Sequence, residues 1–156
     1  MNYDKKIEWC LTKANKGLKK IPPNVGTAMK HISTAKENLQ ACDYLEKGKY
    51  TRWCAPTIFY AVYHCFLALL IKEGFETENQ DCTFALVATL IEKGSFPLEI
   101  EKLEKIMSYD VEEGLRGFRE RFQYGIEGAI DKDLLTEMKN LAQEILTITE
   151  NESTVW

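Results

Sequence analysis

The stretch LRGFRERFQYG, residues 115 to 125, carries Arg116, Arg119 and Arg121, three of the four arginines in a chain whose other cations are lysines apart from Arg52. Arginine differs from lysine in offering a planar, permanently charged fork that holds carboxylate or phosphate through two parallel hydrogen bonds. Arg116 and Arg119 share a helix face. Arg121 stands about 140° round from Arg116 and just ahead of Tyr124, whose hydroxyl and ring can contact phosphate, ribose or base. Glu112 and Glu113 precede the run and are natural ion-pair partners for Arg116. Two readings therefore stand together, an anion or interface site and a solvated ion-paired face.

The remaining chemistry-bearing residues are few. His31 and His64 are the two histidines. His64 completes a polar strip with Thr57 and Tyr60 on an otherwise apolar helix, so it is expected to be buried and hydrogen-bonded. His31 follows Lys30 on an amphipathic helix and reads as a surface residue. Cys10, Cys42, Cys54, Cys65 and Cys82 are odd in number and scattered, with no paired spacing for zinc, and read as reduced, mostly buried thiols of a cytoplasmic protein. Glycine-rich phosphate loops, HExxH and nucleophile-elbow motifs do not occur. The sequence thus calls for no cofactor or metal.

These residues must be placed by helices. Val25, Ala28, Met29, Ile32, Ala35, Leu39, Cys42 and Leu45 recur at three- and four-residue steps, and Gly48 ends that pattern. Cys54 to Lys72 is apolar nearly all round, with Pro56 suited to a first helical turn, and reads as the core helix, too interrupted by polar groups to span a bilayer comfortably. A shorter helix is expected over Cys82 to Lys93. Another follows Pro97, with Ile100, Leu103, Ile106 and Met107 inward. Gly114 and Gly117 weaken any continuation by about 1 kcal/mol each and predict a bend. A last helix runs from Asp131 to Ile148. Before all of these, residues 1–20 read as a lysine-rich amphipathic helix that Pro22 and Pro23 break.

The chain of 156 residues, 45% apolar and with net charge -4, suits one core and argues against a protein that coats nucleic acid broadly. Any anion site must be local. The fold expected is an all-α bundle of five or six helices over residues 24–149, with an N-terminal helical extension over 1–23 and a loose tail over 150–156. No targeting or membrane segment is read from the sequence.

Three stretches together resemble the HEPN domains, small helical domains associated with nucleotide binding: AKENLQACDYLEKGKYTRWCAPTIFYAVYHCFLALLIKEGFE, NQDCTFALVATLIEKG and LRGFRERFQYG. The resemblance implies a helical bundle that dimerises and binds nucleotide or RNA in a cleft lined by Arg119 and Tyr124, with Arg116 and Arg121 beside them. It also implies a place in toxin–antitoxin or defence systems, where the partner is often a minimal nucleotidyltransferase. Many members cleave RNA with an arginine followed, four to six residues later, by histidine. Here Arg119 matches the arginine, but the position five residues on is Tyr124. A tyrosine with an ordinary pKa near 10 is a poor base, which leaves His64 as the histidine available for a ribonuclease reading. A third reading is a protein-interaction module without nucleic acid.

Overall fold

A computed structural model describes residues 2–12, 17–108, 114–126 and 130–153. Among them are seven α-helices: α1 (Tyr3–Thr12), α2 (Val25–Lys47), α3 (Cys54–Lys72), α4 (Gln80–Glu92), α5 (Ile100–Met107), α6 (Leu115–Tyr124) and α7 (Lys132–Ser153). The fold is all-α, as expected: α2 to α7 make up a bundle of six helices, within the five or six expected, and α1 belongs to the N-terminal extension. Two three-residue strands, β1 (Leu18–Lys20) and β2 (Phe75–Thr77), form a small antiparallel ladder with Lys19 opposite Glu76. Their brevity explains why no alternating pattern is visible in the sequence.

Local chemistry sets the helix starts. Asn24 accepts from the Thr27 amide at 2.9 Å, Asn79 from the Cys82 amide at 3.0 Å and Asp131 from the Leu134 amide at 2.9 Å, each satisfying an amide that the first turn leaves without a partner. α2 and α3 form an antiparallel hairpin, and a 3-10 turn, Thr51–Trp53, leads into α3. α3 is the centre of the bundle. It packs on α2, α4, α6 and α7 and buries Ile58, Phe59, Val62, Phe66, Leu69 and Leu70. Thr51–Lys72 is, contrary to expectation, long and apolar enough to cross a membrane by length and composition. However, 67% of its apolar window is buried within the fold, which makes it a core helix.

The expected bend before α6 is present. α5 closes at Met107, and Gly114 stands extended ahead of α6. A Cβ at Gly114 would lie 2.1 Å from the Ser108 carbonyl oxygen, so only glycine permits this approach. The last helix continues to Ser153, five residues beyond Ile148, because Thr149 is buried and its hydroxyl bonds back to Ile145 O.

The N-terminal region departs most from expectation. α1 is ten residues long, and the chain then enters β1. Cys10 and Cys82 are joined by a disulfide that fastens α1 to α4. The reading of all five cysteines as reduced is thereby corrected: Cys42, Cys54 and Cys65 are free and buried, whereas Cys10 and Cys82 are paired across a sequence separation of 72. No spacing rule relates two cysteines so far apart in the chain.

Candidate nucleic-acid interface

α6 presents an unusual inner face. Alongside Leu115, Phe118 and Phe122, which belong to the core, it buries Arg116 and Arg119 at 7% and 6% exposure. Cations are rarely buried so deeply unless paired. Arg116 Nη1 donates to Asp81 Oδ1 at 2.9 Å, and its guanidinium lies 5.3 Å from the Phe84 ring. Arg119 is set in a cage of rings, 4.7 Å from the Phe59 centroid and 5.8 Å from that of Tyr60. Its Nη1 donates to Tyr60 Oη at 3.4 Å and Gln123 Oε1 at 3.3 Å, and Nη2 meets Glu120 Oε1 at 3.3 Å. Its Nε is buried without a hydrogen-bond partner among the described residues.

The outer face is different. Arg121 is exposed with its guanidinium 5.4 Å from the Phe122 ring, and Tyr124 is 71% exposed. Within one chain, therefore, the expected site residues divide. Arg116 and Arg119 point into the α3–α4 face, Arg121 and Tyr124 are exposed, and no hydrogen bond or ring contact joins Arg119 to Tyr124. Glu112 and Glu113, expected partners of Arg116, lie outside the described residues.

Arg52, the fourth arginine, also belongs here. From the 3-10 turn it donates through Nε and Nη2 to Phe122 O at 3.2 and 3.1 Å, and through Nη2 to Gly125 O. A cation thus satisfies the carbonyls that α6 leaves open and complements the negative end of its dipole. All four arginines sit on α6 or against it. Nothing local marks Arg52 for this role, since the contact spans about seventy residues.

His64 lies one turn beyond Tyr60 on α3, half-buried as part of the expected strip, but its partner comes from α2. His31 Nδ1 and His64 Nδ1 are 2.9 Å apart, with ring centroids at 5.1 Å. That nearly head-on distance requires one nitrogen to carry the proton and the other to accept it. His31 is accordingly no simple surface residue. The signal was present in the hairpin itself, since His31 and His64 stand at nearly equal distances on either side of Gly48, as do Cys42 and Cys54.

Burial lowers the pKa of both imidazoles, and for His31 the neighbouring His64 lowers it further. The folded pair resists protons that the unfolded histidines accept near their ordinary pKa of about 6.5, so the pair's contribution to stability is full above that pH and is lost as pH falls below it. The melting temperature is expected to decline between about pH 6.5 and 5 more steeply in the native protein than in a His31→Gln/His64→Gln variant. Equal slopes would show that the pair does not titrate in this way.

His31 also borders a cavity of about 180 Å3 with Leu67, Ile71 and Phe75 as apolar walls and Glu76 and Glu78 in its lining. Those carboxylates oppose a phosphodiester there. The α6 end is the more favourable place for an anion.

The HEPN domain model matches residues 28–152, and the chain belongs to the HEPN family. No curated protein matches the chain significantly. The matched region begins after α1 and β1, so the disulfide-tethered arm lies outside it. Family members are generally nucleotide-related or ribonuclease-like, and they commonly dimerise and bind RNA.

Proposed function

We propose that this HEPN protein binds nucleotide or RNA phosphate at the C-terminal end of α6, in a cleft completed by a second copy, and does not cleave RNA efficiently. The observation that carries this reading is the division of α6: Arg116 and Arg119 are held inside, while Arg121 and Tyr124 face solvent at the end that Arg52 clamps. The exposed pair makes the ligand contacts. The buried pair fixes the helix beneath them through Asp81, Tyr60 and Gln123. The second copy accords with the family, whose members commonly dimerise. The setting is a toxin–antitoxin or defence system with a minimal nucleotidyltransferase as the partner. His64 is committed to His31 and stays outside the phosphate site, which leaves the cleft without a neutral-pH base.

The test is fluorescence anisotropy of a labelled single-stranded RNA, with competition by ATP. Arg121→Ala and Tyr124→Ala are each expected to weaken binding about tenfold or more, the scale of a lost charged contact or stacked ring. Few phosphates are engaged, so the log–log dependence on salt should have a slope of about -1 to -3. Unchanged affinity in both variants would remove the α6 site. Rapid RNA hydrolysis by the native protein would overturn the non-catalytic part, and light scattering that finds only monomer at micromolar concentration would overturn the cleft between copies.

A further inference from the structure

The tip of the α2–α3 hairpin, Gly48 to Trp53, reads GKYTRW. α2 closes there through three backbone bonds, from the Gly48 amide to Tyr44 O, the Lys49 amide to Glu46 O and the Tyr50 amide to Leu45 O, the last at 2.8 Å. A closure of this kind needs one residue in the left-handed region, where glycine is at ease. Here that residue is Lys49, with φ of 65°, although a glycine stands immediately before it. Lys49 is the single non-glycine residue with positive φ among the described residues. A side chain held in this region is destabilising, and such conformations collect at functional sites.

What surrounds Lys49 indicates the function. Tyr44, Tyr50 and Trp53 are 78%, 64% and 45% exposed, and the Arg52 guanidinium lies 5.5 Å from the Trp53 ring. Lys47 and Lys49 are exposed, and neither has a carboxylate at ion-pair distance among the described residues. The nearby carboxylates are already engaged: Asp43 and Glu46 hold Lys139 at 2.7 and 3.2 Å, and Glu120 holds Arg119. In a chain of net charge -4, the tip therefore gathers Lys47, Lys49 and Arg52 with the exposed rings of Tyr44, Tyr50 and Trp53 within ten residues of sequence. Through Arg52 it adjoins the end of α6.

We infer that the hairpin tip is a stacking platform for two or three consecutive unpaired bases of a single-stranded nucleic acid, with Lys47 and Lys49 on its phosphates. The inference rests on the α6 reading in one respect, that the same strand passes from the α6 end onto the tip. Ring faces receive only bases that are out of a duplex. Several rings at separate points need consecutive bases, which a mononucleotide lacks. The ligand class thus narrows from nucleotide or RNA to a single strand of several residues.

Binding is measured by anisotropy with labelled single-stranded RNA and DNA oligonucleotides of about ten residues, the matching duplexes, and ATP as competitor. Tyr50→Ala/Trp53→Ala is expected to weaken single-strand binding at least tenfold and to leave ATP competition unchanged at matched occupancy. Lys49→Gly separates binding from folding, because glycine relieves the left-handed backbone. It should raise the melting temperature while lowering strand affinity about two- to fivefold and flattening the salt slope by about one. Preference for RNA over DNA would show that the 2′-hydroxyl is read; equal affinity would show that stacking and phosphate suffice, and both outcomes support the platform.

Full strand affinity in the Lys49→Gly and Tyr50→Ala/Trp53→Ala variants, with loss in Arg121→Ala, would overturn the platform and leave the α6 site standing. Loss in the tip variants with no effect of Arg121→Ala would retain the platform and remove the α6 site. Absence of strand binding by the native protein would overturn the platform, as would tip variants that dissociate a dimer while strand binding is unchanged, since the rings would then serve a protein interface.

Discussion

Arg119→Ala is expected to lower the melting temperature by about 5–12 °C, from a loss of roughly 2–4 kcal/mol at the few degrees per kcal/mol usual for a domain of this size. The side chain is 6% exposed and stacked on Phe59 and Tyr60, so alanine leaves a hole beside two core rings. Its hydrogen bonds, at 3.3–3.4 Å, are long and contribute little by themselves. Its Nε lacks a partner, which is a cost that alanine removes. Packing and the attraction of the cation to the ring faces outweigh that relief.

Arg119→Met separates these terms, because it keeps much of the volume and discards the charge. If packing dominates, Met should recover most of the loss, as apolar replacements of buried charges commonly do. If the charge over the rings dominates, Met should resemble Ala. Arg121→Ala, on the exposed side of the same helix, should lie within about 0.5 kcal/mol of the native protein. An unchanged melting temperature for Arg119→Ala would show that the ring cage contributes nothing.

This arrangement explains why a lysine-rich chain places arginine here. A lysine at 119 would carry its donors on a single nitrogen, whereas the arginine fork reaches Tyr60 and Gln123 through Nη1 and Glu120 through Nη2 beside the Phe59 ring. Likewise, the clamp on α6 needs donors that reach both Phe122 O and Gly125 O, which the Arg52 fork supplies. The sequence reading of ion-paired arginines holds for Arg116, but its partner is Asp81 on α4 and the pair is buried on the arginine side rather than solvated.

What could be read from the sequence was local. The stripe from Val25 to Leu45, the apolar α3 and the bend at Gly114 follow from spacing and backbone sterics within a few residues. The α6 segment was legible as unusual from residue type alone. Its inward and outward sides were not, because both Arg116 and Arg121 look polar until α3 and α4 are docked. Arg52, Asp81 and His31 acquire their roles through contacts 33 to 70 residues away, which no local pattern encodes. The hairpin register about Gly48 is the exception, for it brings His31 to His64 once the two helices are taken as antiparallel.

The Cys10–Cys82 bond carries the second large effect. Opening it releases a loop with ends 72 residues apart, for which chain entropy alone gives about 4 kcal/mol, within the 2–5 kcal/mol commonly found for native disulfides. The loss should be local at first. α1 has ten residues, too few to persist as an isolated helix, and without the bond it is held by the packing of Tyr3 and Ile7 and by the short β1–β2 ladder. The family-matched bundle from residue 28 onward keeps its own core. Reduction, or Cys10→Ser, should therefore abolish hydrogen-exchange protection over residues 3–12 before it affects α2, α3 or α7, and should lower the global melting temperature as well. Both cysteines are 0% exposed, so reductant reaches the sulfurs only when α1 lifts, and the rate of reduction should follow arm opening rather than reductant concentration once reductant is in excess. Counting thiols gives the decisive check. Unfolded without reductant, the protein should alkylate at Cys42, Cys54 and Cys65 only, and with reductant at all five cysteines; five reactive thiols in the unreduced sample would mean that the arm is held by packing alone.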